Sequence, residues 1–402
     1  MINLPFFNKP AKTSDRFLCI SIDSDFVRCL AMYKENKNMK IIGVGKSELD
    51  PGKVRSGSIV YPDQVATVLE DATNIACTEL GEGIDETIVG ISGDLCVGLM
   101  TTIKAKRPGA AVLTRREIED FNDKIKETAY IQVQNEFMQI NGNSENDLET
   151  ITSSNVYMKI DNQRVSSLEG HTGSVVEFAT FNAFVPSFHV KAIQQTTREA
   201  GLNVIAMGSS MYCLVQNTIE ANASLSDFIL VEVGGDCTNA SVVFGKGIVA
   251  TRTLNVGYRH FIEGVSEKMG LTLKESDRVV KSYIQGKLTQ SETTVVQNAL
   301  RTALEIWVSG LELLFAEYSG VKTFAPKILF TGEGTDLPDL WNVLHRQEWT
   351  KSIPFKAPPE LGKLTFLDLG HLTDATGKAS GSEWLPTACL SMIKSEMEAE
   401  ND

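Results

Sequence analysis

The stretch DFILVEVGGDCTNASVVFGKGIVATRTLNVGYRHF, residues 227–261, decides the fold. It opens with a largely apolar run of the kind found in strands that are buried on both faces. Gly234 and Gly235 follow and predict a tight turn, after which a second strand, a hairpin and a third strand are expected. A glycine pair lets the backbone approach an anion closely and directs N–H groups at phosphate. Alone, such a pair is most often a plain turn between strands.

The same order of elements occurs near the start of the chain. The segment FLCISIDSDFVRCLAMYKENKNMKIIGVGKSEL, residues 17–49, predicts three strands joined by short turns. Apolar residues at helical spacing follow each unit, at 62–82 after the first and at about 258–320 after the second. A three-strand unit with helices after it, present twice, predicts two similar α/β lobes that face each other.

A second glycine turn lies in KILFTGEGTDLPDLWNVL, residues 327–344, between a predicted strand and a predicted helix. Gly332 and Gly334 have no side chains, so a purine and its ribose have room to lie over the backbone there. This turn and the earlier glycine pair follow the N-terminal hairpin in the order that a cleft between two lobes requires. Together they predict a nucleotide cleft, although either turn alone is weak evidence.

The composition limits the class of protein and its compartment. The 402 residues suffice for two or three packed lobes, and 42% hydrophobic with 22% charged residues is typical of a globular protein. The net charge of −13, from 51 acidic and 38 basic residues, opposes nucleic acid as a partner. The seven cysteines and five histidines lack metal-ligand spacing, so we expect buried thiols in a reducing compartment. Because we find no apolar run of about 18 residues and no signal peptide, the expected location is the cytoplasm.

These segments together resemble the actin-like ATPase superfamily, and within it the branch of FtsA and PilM, over about residues 17–393. The stretch that begins ILVEVGGDCTNASV resembles the second phosphate loop, KILFTGEGTDLPDL the adenosine loop and CISIDSDFVRCLAM the first phosphate loop. Residues 56–102, in which a VGISG strand follows a long helix, resemble the inserted SHS-type subdomain of this branch. The resemblance implies an α/β, actin-like (ribonuclease H-like) two-lobed fold with an inserted SHS-type subdomain.

The resemblance also implies how the chain is divided. The sequence lacks the basic amphipathic helix with which FtsA binds membranes, so we expect membrane association to be indirect, at the inner face of the cell membrane. The expected parts are a flexible leader at 1–15, the first part of lobe I at 16–50, the partner-docking SHS-type subdomain and the return to lobe I at 51–190, the remainder of lobe I and lobe II at 191–393, and an acidic tail at 394–402.

The phosphate and adenosine loops depart from the family pattern mainly by gaining carboxylates. Each added carboxylate repels a triphosphate by about 1 kcal/mol or more at short range, even when it is well solvated. The replacements are Ser21 for the acidic residue that holds magnesium-bound water, Asp23 for a glycine that admits phosphate, Glu232 for the first Asp of the second loop, Asp236 for a Gly, Asn239 for the last Asp, and Glu333 for the middle Gly of the adenosine loop.

Two outcomes for the cleft stay open: loose binding of ATP or ADP with magnesium, or a scaffold that no longer binds nucleotide. Since Ser21 and Asn239 replace acidic residues, we expect no catalytic residue and no efficient hydrolysis, and the metal ligands stay unknown. The nucleotide-binding residues that the resemblance implies are Ser21, Asp23 and Ser24 in the first loop, Gly234, Gly235 and Thr238 in the second, Asp277 and Lys281 on the following helix, and Gly332 and Gly334 in the adenosine loop.

Three functions follow from the resemblance. The first is an FtsA-like division adaptor that links a filament such as FtsZ to membrane machinery and self-associates head to tail. The second is a PilM-like adaptor of type IV pilus assembly that binds the cytoplasmic tail of a PilN-like inner-membrane protein. The third, from a different class, is a small-molecule kinase of the same superfamily. Binding of an FtsZ tail, binding of a PilN-type peptide, or ATP-dependent turnover of a metabolite distinguishes them.

Overall fold

The computed structural model describes part of the chain in detail, namely residues 14–55, 57–141, 147–318, 320–346 and 348–399. Most of the predicted leader and residues 400–402 of the predicted acidic tail lie outside the described residues. None of the helices in the described ranges has the length and apolar character needed to cross a membrane.

Strands and helices alternate along the described chain. The strands are β1 (Arg16–Ile22), β2 (Phe26–Glu35), β3 (Asn38–Glu48), β4 (Val54–Arg55), β5 (Ser58–Ile59), β6 (Glu86–Ile91), β7 (Val97–Val112), β8 (Leu148–Ile160), β9 (Gln163–Val165), β10 (Thr172–Pro186), β11 (Asn203–Ser209), β12 (Phe228–Val233), β13 (Thr238–Phe244), β14 (Gly247–Leu254), β15 (Lys327–Thr331), β16 (Glu360–Lys363) and β17 (Leu372–Asp374). The α-helices are α1 (Pro62–Cys77), α2 (Arg115–Asn141), α3 (Ser187–Glu199), α4 (Ser210–Ala221), α5 (Tyr258–Met269), α6 (Leu273–Ile284), α7 (Gln290–Ala316), α8 (Pro338–His345), α9 (Leu385–Cys389) and α10 (Met392–Ala399).

Two sheets carry the same arrangement of five strands. In the first lobe, the order β3-β2-β1-β6-β11 joins an antiparallel meander to two parallel strands, and β17 borders β3. In the second lobe, the order β14-β13-β12-β15-β16 repeats that arrangement strand by strand. The two similar lobes predicted from residues 17–49 and 227–261 are therefore confirmed.

Each lobe has its own hydrophobic core. In the first lobe, α1 packs on β2 and β3, while α4 packs on α9, which covers β1. In the second lobe, α5, α6, α7 and α8 pack against one another beside the sheet. The centre of this second core is Trp307, which is fully buried and stands edge-on to Phe261 with the ring centroids 6.2 Å apart. Edge-to-face contact is a favoured geometry for aromatic pairs and adds to the gain from burial.

An inserted layer of strands extends the second sheet. Strands β7, β10, β8 and β9 pair antiparallel in that order, and β7 joins β14 through Leu99 and Ala250. Helix α2 packs over β7 and β10. This helix begins with a capping box. The Oγ1 of Thr114 accepts a hydrogen bond from the backbone N–H of Glu117 at 3.3 Å, and the carboxylate of Glu117 accepts one from the backbone N–H of Thr114 at 3.0 Å.

The inserted layer begins at Val97 rather than at residue 51. The predicted division placed 51–190 in the insertion and the return to lobe I, yet α1 packs against β3, and β6 lies inside the first sheet between β1 and β11. The close fit of α1 on β3 explains this placement. A Cβ built at Gly45 of β3 would lie 1.9 Å from the carbonyl oxygen of Ala72 in α1. The helix therefore belongs to the core of the first lobe.

Gly45→Ala tests the fit of α1 on β3. The added methyl group has no room, so helix and strand must separate. We expect the free energy of unfolding, measured by chemical denaturation, to fall by about 1–3 kcal/mol, as in other overpacked cores. Gly83→Ala is the matched control, because no atom lies within 4 Å of a Cβ built at Gly83. Equal losses in the two variants would contradict the close packing.

Candidate functional site

The turn between β12 and β13 is bonded to the start of α5. The backbone N–H of Gly234 donates to the carbonyl of Cys237 at 3.0 Å, which closes the turn. The carbonyl oxygens of Gly234 and Gly235 accept from the backbone N–H groups of Tyr258 and Arg259, both at 2.8 Å. The first N–H groups of a helix commonly bind anions. Here two of them are already bonded to the turn.

Three of the predicted nucleotide-binding residues pack into the interior of the second lobe. A Cβ built at Gly332 or Gly334 would meet Val233 of β12 at 2.6 Å or 2.4 Å, and Gly332 has a φ of +91°. Thr238 is fully buried, where its Oγ1 donates to a backbone carbonyl at 2.7 Å and accepts from Nε1 of Trp307 at 2.8 Å. The contacts with Val233 place the two glycine turns side by side, as a cleft between the lobes requires.

The other predicted residues lie along one cleft between the lobes. Its largest cavity, of about 460 Å³, is bounded by the turn after β1 and the end of β3 on one side and by α5 and α6 on the other. Two smaller cavities, of about 50 and 30 Å³, share residues with it. Asp23, Ser24, Gly235, Asp277 and Lys281 line the largest cavity, Gly234 lines both smaller ones, and Ser21 lines the smallest, where its Oγ is 2.8 Å from that of Thr387.

A buried arginine joins the two lobes across this cleft. Arg28 extends from β2, and its side chain is 6% exposed. One guanidinium nitrogen pairs with Asp23 in the turn after β1. Another donates to the carboxylate of Glu333 in the second lobe at 2.9 Å. The guanidinium therefore lies between the turn after β1 and the glycine turn after β15, which the resemblance predicts as the first phosphate loop and the adenosine loop.

Burial and charge act in opposite directions on the partners of Arg28. Burial raises the pKa of Asp23 more than the charge of Arg28 lowers it. Burial also raises the pKa of Glu333, but the charges of Arg28, Lys46 and Lys281 outweigh it, so the pKa lies below its usual value. Glu333 is thus the carboxylate that binds Arg28 as a stable anion. The sequence offered one signal for this arginine: a carboxylate in place of a loop glycine needs a nearby cation.

A second arginine makes another bridge between the lobes. Arg259, at the start of α5, donates to the carboxylate of Asp25 in the first lobe at 3.0 Å and lies 3.7 Å from that of Asp236. Burial raises the pKa of Asp25 to about 6, against the opposing charge of Arg259. Neither Arg259 nor Asp25 was among the residues predicted from the sequence. Both nevertheless contribute to the contact between the lobes.

Glu232, at the end of β12, is the most deeply buried of the acidic residues that line the cleft. Its carboxylate accepts a hydrogen bond from Nδ2 of Asn239 at 2.7 Å. Burial raises the pKa of Glu232 to about 7, because the neutral amide of Asn239 offsets only part of the cost of a buried charge. In the family pattern both positions are aspartates, so the replacement of the second by an amide gives Glu232 a neutral hydrogen-bond donor as its partner.

The residues of the cleft do not fit the magnesium triphosphate that the fold implies. Arg28 and Arg259 are paired with carboxylates, and the first N–H groups of α5 are bonded to the turn. A triphosphate would have to break these bonds while other carboxylates repel it. Across the described ranges, no group of three or more His, Cys, Asp or Glu side chains is placed to hold a metal ion. The carboxylates that line the cleft are those of Asp23, Asp25, Glu48, Glu232, Asp236, Asp277, Glu333 and Glu383.

No family model and no curated protein sequence matches this chain. Solved structures match it over nearly its whole length. A chain of the PilM–PilN type IV pilus biogenesis complex is 14% identical with a TM-score of 0.65, and the alignment covers 94% of this chain and 97% of that one. The ethanolamine utilization protein EutJ from Carboxydothermus hydrogenoformans is 10% identical with a TM-score of 0.51, with 96% and 92% covered.

These likenesses show the fold. The chain has the α/β, actin-like ATPase fold that its sequence resemblance implied, and a structure from the PilM–PilN complex is among the proteins that share it. At 10–14% sequence identity, the likeness does not show which activity this chain has or which of its residues form a site. The nucleotide-binding residues predicted from the sequence therefore stay a prediction, which the charges of the cleft oppose.

Arg28→Met tests the bridge between the lobes. The variant leaves Asp23 and Glu333 buried without the guanidinium, so we expect the free energy of unfolding to fall by about 3–5 kcal/mol. Arg16→Met is the matched control, because Arg16 pairs with Glu82 on the surface, where such a pair contributes about 0–1 kcal/mol. Urea denaturation compares the two. A loss from Arg28→Met no larger than that from Arg16→Met would contradict the role of the buried bridge.

Glu232→Gln tests the raised pKa of this acid. Between pH 4.5 and about pH 7, the carboxyl group of Glu232 holds its proton in the folded state but has lost it in the unfolded state. The folded wild type therefore loses stability relative to the unfolded state as the pH rises from 4.5 to about 7. The glutamine stays neutral and keeps an acceptor for Asn239. We therefore expect the variant to gain stability relative to the wild type between about pH 4.5 and pH 7, by up to about 3 kcal/mol.

Urea denaturation at several pH values across this window measures the difference. Glu267→Gln, the same change at an exposed position on α5, is the control for the loss of one acid. If the stability of the wild type and that of Glu232→Gln change in parallel with pH, Glu232 does not titrate in this window.

Proposed function

We propose that this protein is an actin-fold adaptor of type IV pilus assembly, of the PilM kind, that binds the cytoplasmic tail of a PilN-like inner-membrane protein. The supporting observation is the likeness to a chain of the PilM–PilN complex. It extends over 94% of this chain, so it spans both lobes and the inserted layer. On this proposal the protein works in the cytoplasm and reaches the membrane through its partner.

The charges of the cleft support an adaptor that works without ATP turnover. In a nucleotide-driven protein of this fold, phosphates and magnesium connect the lobes, and their loss changes the angle between them. In this protein the ion pairs of Arg28 with Glu333 and of Arg259 with Asp25 connect the lobes instead. We therefore propose that the lobes keep one arrangement in the presence and absence of ATP.

An exposed apolar patch supports a docking surface where the first lobe meets the inserted layer. Val60 and Tyr61 follow β5, which packs against α3, the helix that leads out of β10. Val60 is 44% exposed, Tyr61 48%, and Phe188 in the first turn of α3 52%. Exposed apolar and aromatic side chains that lie near one another are typical of protein interfaces. We propose that the membrane protein's tail packs on these three side chains.

The other functions remain alternatives with their own partners. The division role, with an FtsZ-like filament and head-to-tail self-association, remains a prediction from the sequence. A small-molecule kinase would need to bind ATP in the cleft, and the charges described above oppose that. The same binding experiment separates the adaptor roles, because each requires a different peptide.

Titration calorimetry of the full chain tests the proposal. We expect a PilN-type N-terminal peptide to bind, an FtsZ C-terminal tail peptide not to bind, and millimolar Mg-ATP to leave the affinity unchanged. Binding of the FtsZ peptide alone would favour the division role. Binding of neither peptide would refute the adaptor proposal in both forms.

Two exposed apolar residues provide matched variants for the docking patch. Phe188→Ala removes a side chain of the patch, and we expect it to weaken the PilN-type peptide about tenfold or more, as truncation of an aromatic interface residue commonly does. Leu367→Ala changes a side chain that is 95% exposed outside the patch, and we expect no effect. Equal affinities of the two variants would place the peptide elsewhere on the protein.

A further inference from the structure

The cavity of about 50 Å³ in the cleft has features that neither nucleotide nor peptide binding explains. It lies where the turn after β1, the end of β6, helix α3 and the turn between β12 and β13 meet. One water needs roughly 10–15 Å³ measured in this way, so the cavity holds a group of a few heavy atoms and no nucleotide. Its polar walls include Asp23, Ser24, His189, Glu232 and Asp236.

Two of these side chains are buried and unpaired. Ser24 and His189 are each 3% exposed, and among the described residues the Oγ of Ser24 and the Nδ1 of His189 have no hydrogen-bond partner. Buried polar atoms without partners are rare in native proteins, and each calls for a bound group or a functional explanation. Burial lowers the pKa of His189 to about 4, so its ring is neutral and Nδ1 accepts a hydrogen bond when the proton is on Nε2.

Acidic side chains outnumber basic ones on the walls of this cavity. Three carboxylates line it, and none of the described lysines or arginines does. Arg28 shares its charge between Asp23 and Glu333, while Asp236 lies 3.7 Å from Arg259. Among the residues that the structure describes, the hydrogen-bond partner of the Glu232 carboxylate is the neutral amide of Asn239. A cation in the cavity would offset this charge.

We propose that the cavity binds a primary ammonium group, supplied by a small free amine or by a lysine side chain of a partner protein. An ammonium has three N–H donors and no acceptor. Three acceptors line the cavity, one for each N–H donor of the ammonium. They are the Oγ of Ser24, the Nδ1 of His189 and the carboxylate of Glu232. The positive charge of the ammonium favours the carboxylate form of Glu232, which burial otherwise opposes by raising its pKa to about 7.

Other cations match this set of acceptors less well. Magnesium and calcium prefer oxygen ligands throughout, and an imidazole nitrogen is not among their usual ligands. In the described ranges no three His, Cys, Asp or Glu side chains are placed for a transition metal. A quaternary ammonium has the charge but no N–H donor for Ser24 and His189. The acceptors therefore select an ammonium that carries hydrogen atoms.

A thermal titration of the full chain tests the proposal with methylammonium chloride as the probe. Because a ligand of the native state raises its melting temperature, we expect a saturable rise with methylammonium. Sodium chloride and tetramethylammonium chloride at the same ionic strength are the controls, and we expect neither to reproduce it. A rise of equal size with either control salt would overturn the proposal, and so would the absence of a saturable rise with methylammonium. Either result would indicate that the cavity holds water and no ammonium group.

Variants locate the effect and separate the two sources of the ammonium. Ser24→Ala removes an unpaired hydroxyl, and Glu232→Gln keeps an acceptor for Asn239, so both are expected to fold. We expect each to weaken methylammonium about tenfold or more, because each removes an acceptor for a charged donor. Glu267→Gln, on the exposed side of α5, should bind as the wild type does. Unchanged affinity in both cavity variants would overturn the proposal.

An amide of N-acetyl-lysine then tests whether the cavity admits a side chain from a partner. Binding of this compound with the affinity of methylammonium would support a lysine as the source. Binding of methylammonium alone would support a small free amine. The cavity proposal is independent of the proposed pilus role, because methylammonium can bind to the cavity even if the PilN-type peptide does not bind to the protein.

Discussion

The arrangement of the two lobes depends on one buried cation. Arg28 is 6% exposed and pairs with Asp23 of its own lobe and Glu333 of the other. A charge in this environment must be paired, because removing it from water without partners is very costly. Asp23 and Glu333 stand where the family pattern has glycines that admit phosphate and adenosine. The chain has therefore placed its own ions where the sequence resemblance predicts a nucleotide.

This substitution changes what the cleft can do. A bound nucleotide dissociates or is hydrolysed, so lobes connected by phosphates have at least two arrangements. Arg28 and Glu333 are parts of one chain and cannot leave. The carboxylates that line the cleft outnumber its arginines and lysines, which favours cations over phosphates. The proposed adaptor role requires a constant surface rather than a nucleotide cycle, and the ion pairs support that proposal.

The topology was predictable from the sequence, whereas the contacts across the cleft were not. The repeated unit at 17–49 and 227–261 predicts the three antiparallel strands of each lobe, because apolar runs and turn residues act locally. Arg28 and Glu333 are 305 residues apart, and nothing in either segment identifies the other.

The glycine turns show why a motif can predict a fold without predicting a ligand. In a nucleotide-binding protein, a glycine in such a turn serves both the packing of the lobe and the approach of the ligand. Here Gly332 and Gly334 still pack against Val233, where any side chain would clash. Packing alone is therefore enough to require glycine at both positions, whether or not a nucleotide binds. Glu333, the residue between them, pairs with Arg28, so this position indicates a cation and not a phosphate.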